Sequence, residues 1–150
     1  MNRLVTYGLM AAVAFGFYGC GGGNDTNTLG DWVKRAEFGG NARSGAVSFV
    51  INDIAYVGTG YDGNNYLTDF WQFNPDATGG YGGWKQVDSF PGLPRTGAVA
   101  FTANGQGYVT TGYNGNYPNF FKDTWMYDPT GNTWTQKKDF GGTARAYAVA

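Results

Sequence analysis

Apolar and β-branched residues fall in runs of four to seven, cut off by Gly, Asn, Asp or Pro, with no sustained helical period. In the best-defined stretch four runs follow one another: Gly45 to Ile51, Ile54 to Gly60, Asp69 to Phe73 and Trp84 to Val87. Asn52-Asp53 separates the first two runs, and Asn104-Gly105 does so one unit later. Both are two-residue turns whose residues tolerate the positive φ of a type I′ hairpin. The pattern predicts short antiparallel strands joined by tight turns.

The runs recur. Phe38-Gly-Gly-Asn-Ala-Arg-Ser-Gly-Ala-Val-Ser-Phe49 aligns with Phe90-Pro-Gly-Leu-Pro-Arg-Thr-Gly-Ala-Val-Ala-Phe101 and with Phe140-Gly-Gly-Thr-Ala-Arg-Ala-Tyr-Ala-Val-Ala150. Arg43, Arg95 and Arg145 are 52 and 50 residues apart, and Trp32, Trp84 and Trp134 keep the same spacings. Thr59-Gly60-Tyr61 matches Thr111-Gly112-Tyr113, and Asp69-Phe-Trp-Gln-Phe73 matches Asp123-Thr-Trp-Met-Tyr127. A repeat near 50 residues that holds a four-stranded meander predicts the blade of a β-propeller. The small residues of the first run, Gly45-Ala46-Val47 and Gly97-Ala98-Val99, suit an innermost strand, where wedge-shaped blades crowd towards an axis.

These residues resemble the kelch repeat. Such a unit ends its second strand on a di-glycine, carries an aromatic in the third strand and opens the fourth with Trp. Gly60, Phe73 and Trp84 take those places in one unit, and Gly112, Tyr127 and Trp134 in the next. Thr59 and Thr111 stand where the first glycine is usual. The resemblance implies an all-β propeller of four-stranded kelch blades over residues 31–150. Because closed propellers have about 4 to 8 blades, the chain is expected to be an incomplete fragment of about two and a half blades. The strand opened by Trp32 is expected to close the ring by joining a last blade.

Composition strengthens the all-β reading. Glycine makes up 26 of 150 residues without a Gly-X-Y period, which points to turns rather than collagen. Beyond residue 20 the leucines are Leu29, Leu67 and Leu93, and Glu37 is the one glutamate, so strong helix formers are scarce. A formal charge of −1 without a basic cluster argues against nucleic acid as a partner. The chain has no histidine, the residue most used for general-base and metal-ligand work.

Residues 1–19 have the layout of a secretory signal peptide: Arg3, an apolar run from Leu4 to Phe17, then small Gly19. That run falls short of the roughly 20 residues that a spanning helix needs. Phe17-Tyr18-Gly19-Cys20 resembles the bacterial lipobox, whose cysteine is lipidated; the departure is Phe17, where Leu is usual. Ordinary signal cleavage with an incidental cysteine is the alternative. Residues 20–30, rich in Gly, Asn and Thr, read as a lipidated N-terminus and flexible tether. The expected location is the bacterial cell envelope, with a lipid anchor at Cys20 in the membrane.

Strand parity gathers one loop face. The start of strand one, the end of strand two and the start of strand three share one side of the disc. That side carries Arg43, Arg95 and Arg145 with the loops Tyr61-Asp62-Gly63-Asn64-Asn65-Tyr66 and Tyr113-Asn114-Gly115-Asn116-Tyr117. Arginine forks suit carboxylates, amides suit hydroxyls and aromatic faces suit sugar rings. Arg43, Arg95, Arg145, Tyr61, Asp62, Asn64, Tyr113 and Asn114 are therefore the candidate ligand-binding residues. Each arginine can equally bind the aspartate of its own blade, Asp69 or Asp123, and the loops can be ordinary turns. Asp62, Asn64 and Asn65 do not complete a calcium loop, and Trp71 and Trp125 read as core between blades.

Three functions remain open at this stage. The first is a surface-tethered binding module that recognises a glycan or a protein through the loop face, without a cofactor. The second is a sugar-modifying enzyme, for which two kelch relatives are pertinent. Galactose oxidase resembles the chain in its repeat, but its copper centre needs histidines and a tyrosine cross-linked to cysteine. This segment offers no histidine and no cysteine after Cys20. A sialic-acid epimerase or mutarotase of kelch type needs only acid and base groups beside a bound sugar, and Asp62 is the carboxyl of the loop face outside strand three. The third is a purely structural surface protein.

Overall fold

The computed structural model describes residues 33–115 and 119–150. The signal segment, Cys20, Trp32, Asn116 and Tyr117 lie outside the described residues. Two four-stranded antiparallel sheets follow one another: β1 (Val47–Ile51), β2 (Ile54–Gly58), β3 (Phe70–Asn74) and β4 (Gly83–Val87), then β5 (Val99–Ala103), β6 (Gln106–Thr110), β7 (Thr124–Asp128) and β8 (Thr133–Lys137). Each sheet is a meander in chain order, which is the expected blade, and the two do not close a ring. No described helix is long and apolar enough to cross a membrane.

Registers repeat between the blades. Phe49 faces Tyr56 across β1 and β2, as Phe101 faces Tyr108 across β5 and β6. Both pairs stack, at 5.2 Å and 5.1 Å between ring centroids. The hairpin turns have the positive φ that their residues predict: 48° and 63° at Asn52 and Asp53, 51° and 73° at Asn104 and Gly105.

Strand ends differ from the sequence reading, by one residue at both ends of β3 and at the start of β4, and by two in the first hairpin. The inner strand begins at Val47 rather than Gly45, and β2 stops at Gly58 rather than Gly60. Left-handed backbone is the reason, since Gly45 has φ 60°, Thr59 φ 55° and Gly60 φ 98°. At Thr59 and Thr111 (φ 64°) a β-branched residue occupies a conformation that glycine adopts without strain. Their side-chain hydroxyls are also buried without a hydrogen-bond partner.

The main core is the seam between the blades. Side chains of β1 alternate strictly, with Val47, Phe49 and Ile51 buried and Ser48 and Val50 exposed. The buried row joins Tyr56, Phe70, Phe90, Val109 and Tyr127 in one cluster. Phe49 reaches Tyr127 of the second blade at 6.4 Å, and Trp134 of the second blade meets Phe70 edge-on at 5.0 Å. Outer-strand tryptophans also tie blades to linkers: Trp84 Nε1 donates to the Ala36 carbonyl and Trp134 Nε1 to that of Asp88. Trp71 and Trp125 are only half-buried, and each indole donates to an aspartate of its own blade, so they brace the blade as well as fill space.

Gly107 is a tight point of this seam. A β-carbon there would overlap the Phe49 ring, which is boxed in by core. Gly107→Ala is expected to lower stability by about 1–3 kcal/mol through overpacking, read as a lower midpoint in denaturant unfolding. Ala55, the counterpart in the first blade, should tolerate replacement by glycine with a smaller loss.

Candidate functional site

Every strand-one entry is built in the same way. Arg43 Nε donates to the Asn41 carbonyl, Arg95 Nε to that of Leu93 and Arg145 Nε to that of Thr143, each at 3.0 Å. The guanidinium lies over the phenylalanine five residues earlier, at 5.1 Å, 4.7 Å and 5.1 Å respectively. Arg43 then makes a two-pronged contact with Asp69 at 2.7 Å on both oxygens, and Arg95 makes the same contact with Asp123 at 2.7 and 2.8 Å. Nη1 of each also donates to the carbonyl of the left-handed threonine, Thr59 or Thr111.

Arg43 and Arg95 are thus fasteners within their own blades. The side chain of Arg95 is only 1% exposed, and a second aromatic, Phe121, covers it at 4.3 Å. A ligand carboxylate would have to displace an aspartate from a fork that is already filled. This is the blade-fastening duty that the sequence left open beside a ligand role for these two arginines. Arg145 is exposed, and its guanidinium has no acidic partner among the described residues.

The aspartates carry the electrostatic signature of this arrangement. Hydrogen bonds from Arg43 hold the Asp69 carboxyl below its ordinary range against the opposing effect of burial. At Asp123 burial pushes upward most strongly, yet Arg95 and the Trp125 indole together outweigh it and the net shift is downward. A lowered folded-state pKa contributes stability that is present above the unfolded value and lost as pH falls through the folded one.

The remaining candidates lie on the loops that these forks support. Tyr61 exchanges backbone hydrogen bonds with Ser44, and Tyr113 with Thr96, which sets both tyrosines beside the strand-one entry. Asp62 is spent on its own loop. Its Oδ1 accepts the amides of Asn64 and Asn65 at 2.8 and 2.7 Å, and these bonds, that of Asn65 first, hold its carboxyl below the ordinary range. It is therefore an ionised loop organiser rather than a group poised to give up a proton near neutrality.

A cleft of about 360 Å³ opens between the two loops, lined by Asn64, Asn65, Tyr66, Pro94, Asn114 and Gly115. Asn64 and Asn114 are among the sequence candidates, whereas Tyr61, Asp62, Tyr113 and the arginines do not line it. Pro94 and Gly115 escaped the sequence reading because neither carries a polar group; only the meeting of two blades gives them a role. Tyrosines flank the cleft in a row that crosses from blade to blade. Tyr61 packs on Tyr66 at 4.8 Å, Tyr66 on Tyr113 at 6.2 Å and Tyr113 on Tyr147 at 5.8 Å. One polar atom in the lining, Asn114 Oδ1, is buried without a partner among the described residues. No group of three His, Cys, Asp or Glu stands together among the described residues.

Residues 94–141, from the cleft proline through the Arg95 fork to the end of the second blade, match the family model of the kelch motif. That stretch carries a kelch motif. The chain is also similar to N-acetylneuraminate epimerase of Haemophilus influenzae (strain PittEE), 32% identical over 93 residues that make up 60% of this chain and 23% of that protein. The enzyme of the same description from Pasteurella multocida (strain Pm70) is 34% identical over 93 residues, covering 58% and 22%. That from Yersinia pestis is 32% identical over 91 residues, covering 57% and 22%. The chain thus spans less than a quarter of the curated relatives it matches. Among solved structures, that of YjhT superposes with a TM-score of 0.63 at 23% identity, over 78% of this chain and 33% of that one, which shows the shared fold.

Two outcomes test this architecture. Arg95→Ala leaves the Asp123 carboxylate half-buried and unpaired, and is expected to cost about 3–5 kcal/mol, seen as a large drop in melting temperature. With both aspartates depressed, the unmutated protein should hold its stability down to the ordinary carboxylate range of about 4 and lose it at lower pH. Gly115→Ala tests the cleft, because φ is 79° there and a β-carbon would overlap the Tyr66 hydroxyl. Tyr66 should be driven from its place, changing tyrosine fluorescence, with a loss of about 1 kcal/mol from the backbone strain.

Proposed function

We propose that this kelch protein binds a carbohydrate at the loop face, in the cleft where Tyr66 from one blade meets Asn114 and Gly115 from the next. The observation that carries the reading is the chemistry of that cleft: amides of Asn64, Asn65 and Asn114 beside a tyrosine row, with Asn114 Oδ1 buried and unpartnered among the described residues. A buried amide oxygen that lacks a donor costs free energy until a ligand hydroxyl or amide supplies one. Its volume falls within the usual span for small-molecule sites, about 300–1,000 Å³. The lining offers hydrogen bonds without a strong charge, as a polyhydroxylated ring requires.

N-Acetylneuraminate is the first sugar to test, because the curated relatives are N-acetylneuraminate epimerases. Their description also supports a second reading, in which the complete protein epimerises a sugar of that class. The cleft favours binding over turnover, since the loop carboxyl nearest to it, Asp62, is held ionised by loop amides. The lipobox-like Cys20 and the tether to residue 30 support a lipid-anchored protein of the bacterial envelope that presents this face to glycans outside the membrane.

Calorimetric titration of the mature chain with N-acetylneuraminate and with neutral pyranoses tests the reading. Saturable binding is expected, and Asn114→Ala and Tyr66→Ala should each weaken it about tenfold, equivalent to about 1.4 kcal/mol. Heats that do not saturate for any sugar would sink the proposal. Slow epimerisation of the added sugar, followed by NMR, would favour the enzyme.

A further inference from the structure

The three strand-one entries share one backbone shape, and the residue that adopts it is not the same in all three. Gly45, Gly97 and Tyr147 occupy the same position, with φ of 60°, 59° and 56°. They are joined in a relay: the Gly97 amide donates to the Gly45 carbonyl at 3.0 Å, and the Tyr147 amide donates to the Gly97 carbonyl at 2.7 Å. Two of these positions carry glycine, as left-handed backbone favours. The third carries a bulky aromatic, for which such a φ is a true outlier.

Tyr147 stands outside the buried cluster. It extends the tyrosine row beyond Tyr113, with its hydroxyl 3.4 Å from that of Tyr113. That hydrogen bond holds the Tyr113 phenol above its ordinary range. One structural duty competes with this role. The Tyr147 ring lies over the Gly97 α-carbon, where an added β-carbon would meet ring atoms at 2.9 Å. In the preceding unit the space over Gly45 is filled instead by Thr96, whose hydroxyl donates to the Ser44 and Gly45 carbonyls. The residue matching Thr96 is Ala146, which has no hydroxyl.

Resting on the carbohydrate reading above, we infer that Tyr147 is a specificity-determining residue, an aromatic platform paired with Tyr113 that stacks on the apolar face of a pyranose ring. Strain retained at a position where the other two units carry glycine, on a ring that joins the tyrosine row, is what a ligand contact would maintain.

The double variant Ala146→Thr/Tyr147→Gly separates the two duties, because it recreates the Thr96-Gly97 pair and so restores the cover over Gly97 while removing the platform. It is expected to melt at or above the temperature of the parent and to bind the pyranose that the parent binds at least tenfold more weakly. Tyr147→Phe, which keeps the ring, should retain most of the affinity. Parental affinity in the double variant would overturn the inference and leave the carbohydrate reading standing. Absence of binding to any pyranose by the parent itself would overturn both.

Discussion

The two-pronged ion pair between the strand-one arginine and the strand-three aspartate is the constraint on which the blade depends. In the second blade Arg95 is enclosed by Phe90 and Phe121 and reaches Asp123 and the Thr111 carbonyl, so one side chain joins the starts of β5 and β7 to the end of β6. Its own carbonyl accepts the amide of Gly60 from the preceding blade, and Arg145 does the same for Gly112. In the second unit one residue thereby holds three strands of its own blade and the edge of its neighbour. The left-handed turn at Thr59 or Thr111 follows from this, because that backbone presents its carbonyl to the arginine. A buried pair of this kind adds little over an apolar alternative but is costly to break, so its main effect is to specify where the loops start.

Fixed starting points allow the loops to vary. Tyr61 and Tyr113 leave the same backbone bridges in both units, yet the segments that follow differ in length and end against different aromatics. The cleft arises only because Tyr66 from one blade extends over Gly115 of the next. Chemistry at this mouth therefore belongs to a pair of blades rather than to one repeat, and substitution at a single repeat position, as at Tyr147, alters it without disturbing the frame.

The seam supplies the apolar part of the stability. Phe49, Tyr56, Phe70, Tyr127 and Trp134 form a contiguous set of aromatic contacts across two sheets. Glycine at 107 admits the Phe49 ring, so the smallest residue of β6 and the largest of β1 are complementary. Shape, more than hydrophobicity alone, keeps the blades in register.

Strand existence and order were legible from the sequence because a period-two pattern, turn residues of positive φ and the spacing of Arg43, Arg95 and Arg145 are local or repeated signals. Strand ends were less so: Gly45 and Thr59-Gly60 look like strand residues until the arginine's need for a carbonyl turns the backbone left-handed. The loop face was legible as well, since antiparallel parity places Tyr61, Asn64, Tyr113 and Asn114 on one side. The duty of Arg43 and Arg95 was not, because sequence placed both an aspartate and a possible ligand within their reach, and only the filled forks distinguish the two. Pro94, Tyr66 and Gly115 became a cleft through contacts between units some 50 residues apart, which no window along the chain contains. Sequence by itself determined the blade and the face on which chemistry stands. Tertiary packing decided which side chains that face keeps for its own structure and which it leaves for a ligand, because burial and hydrogen-bond satisfaction are properties of neighbours in space.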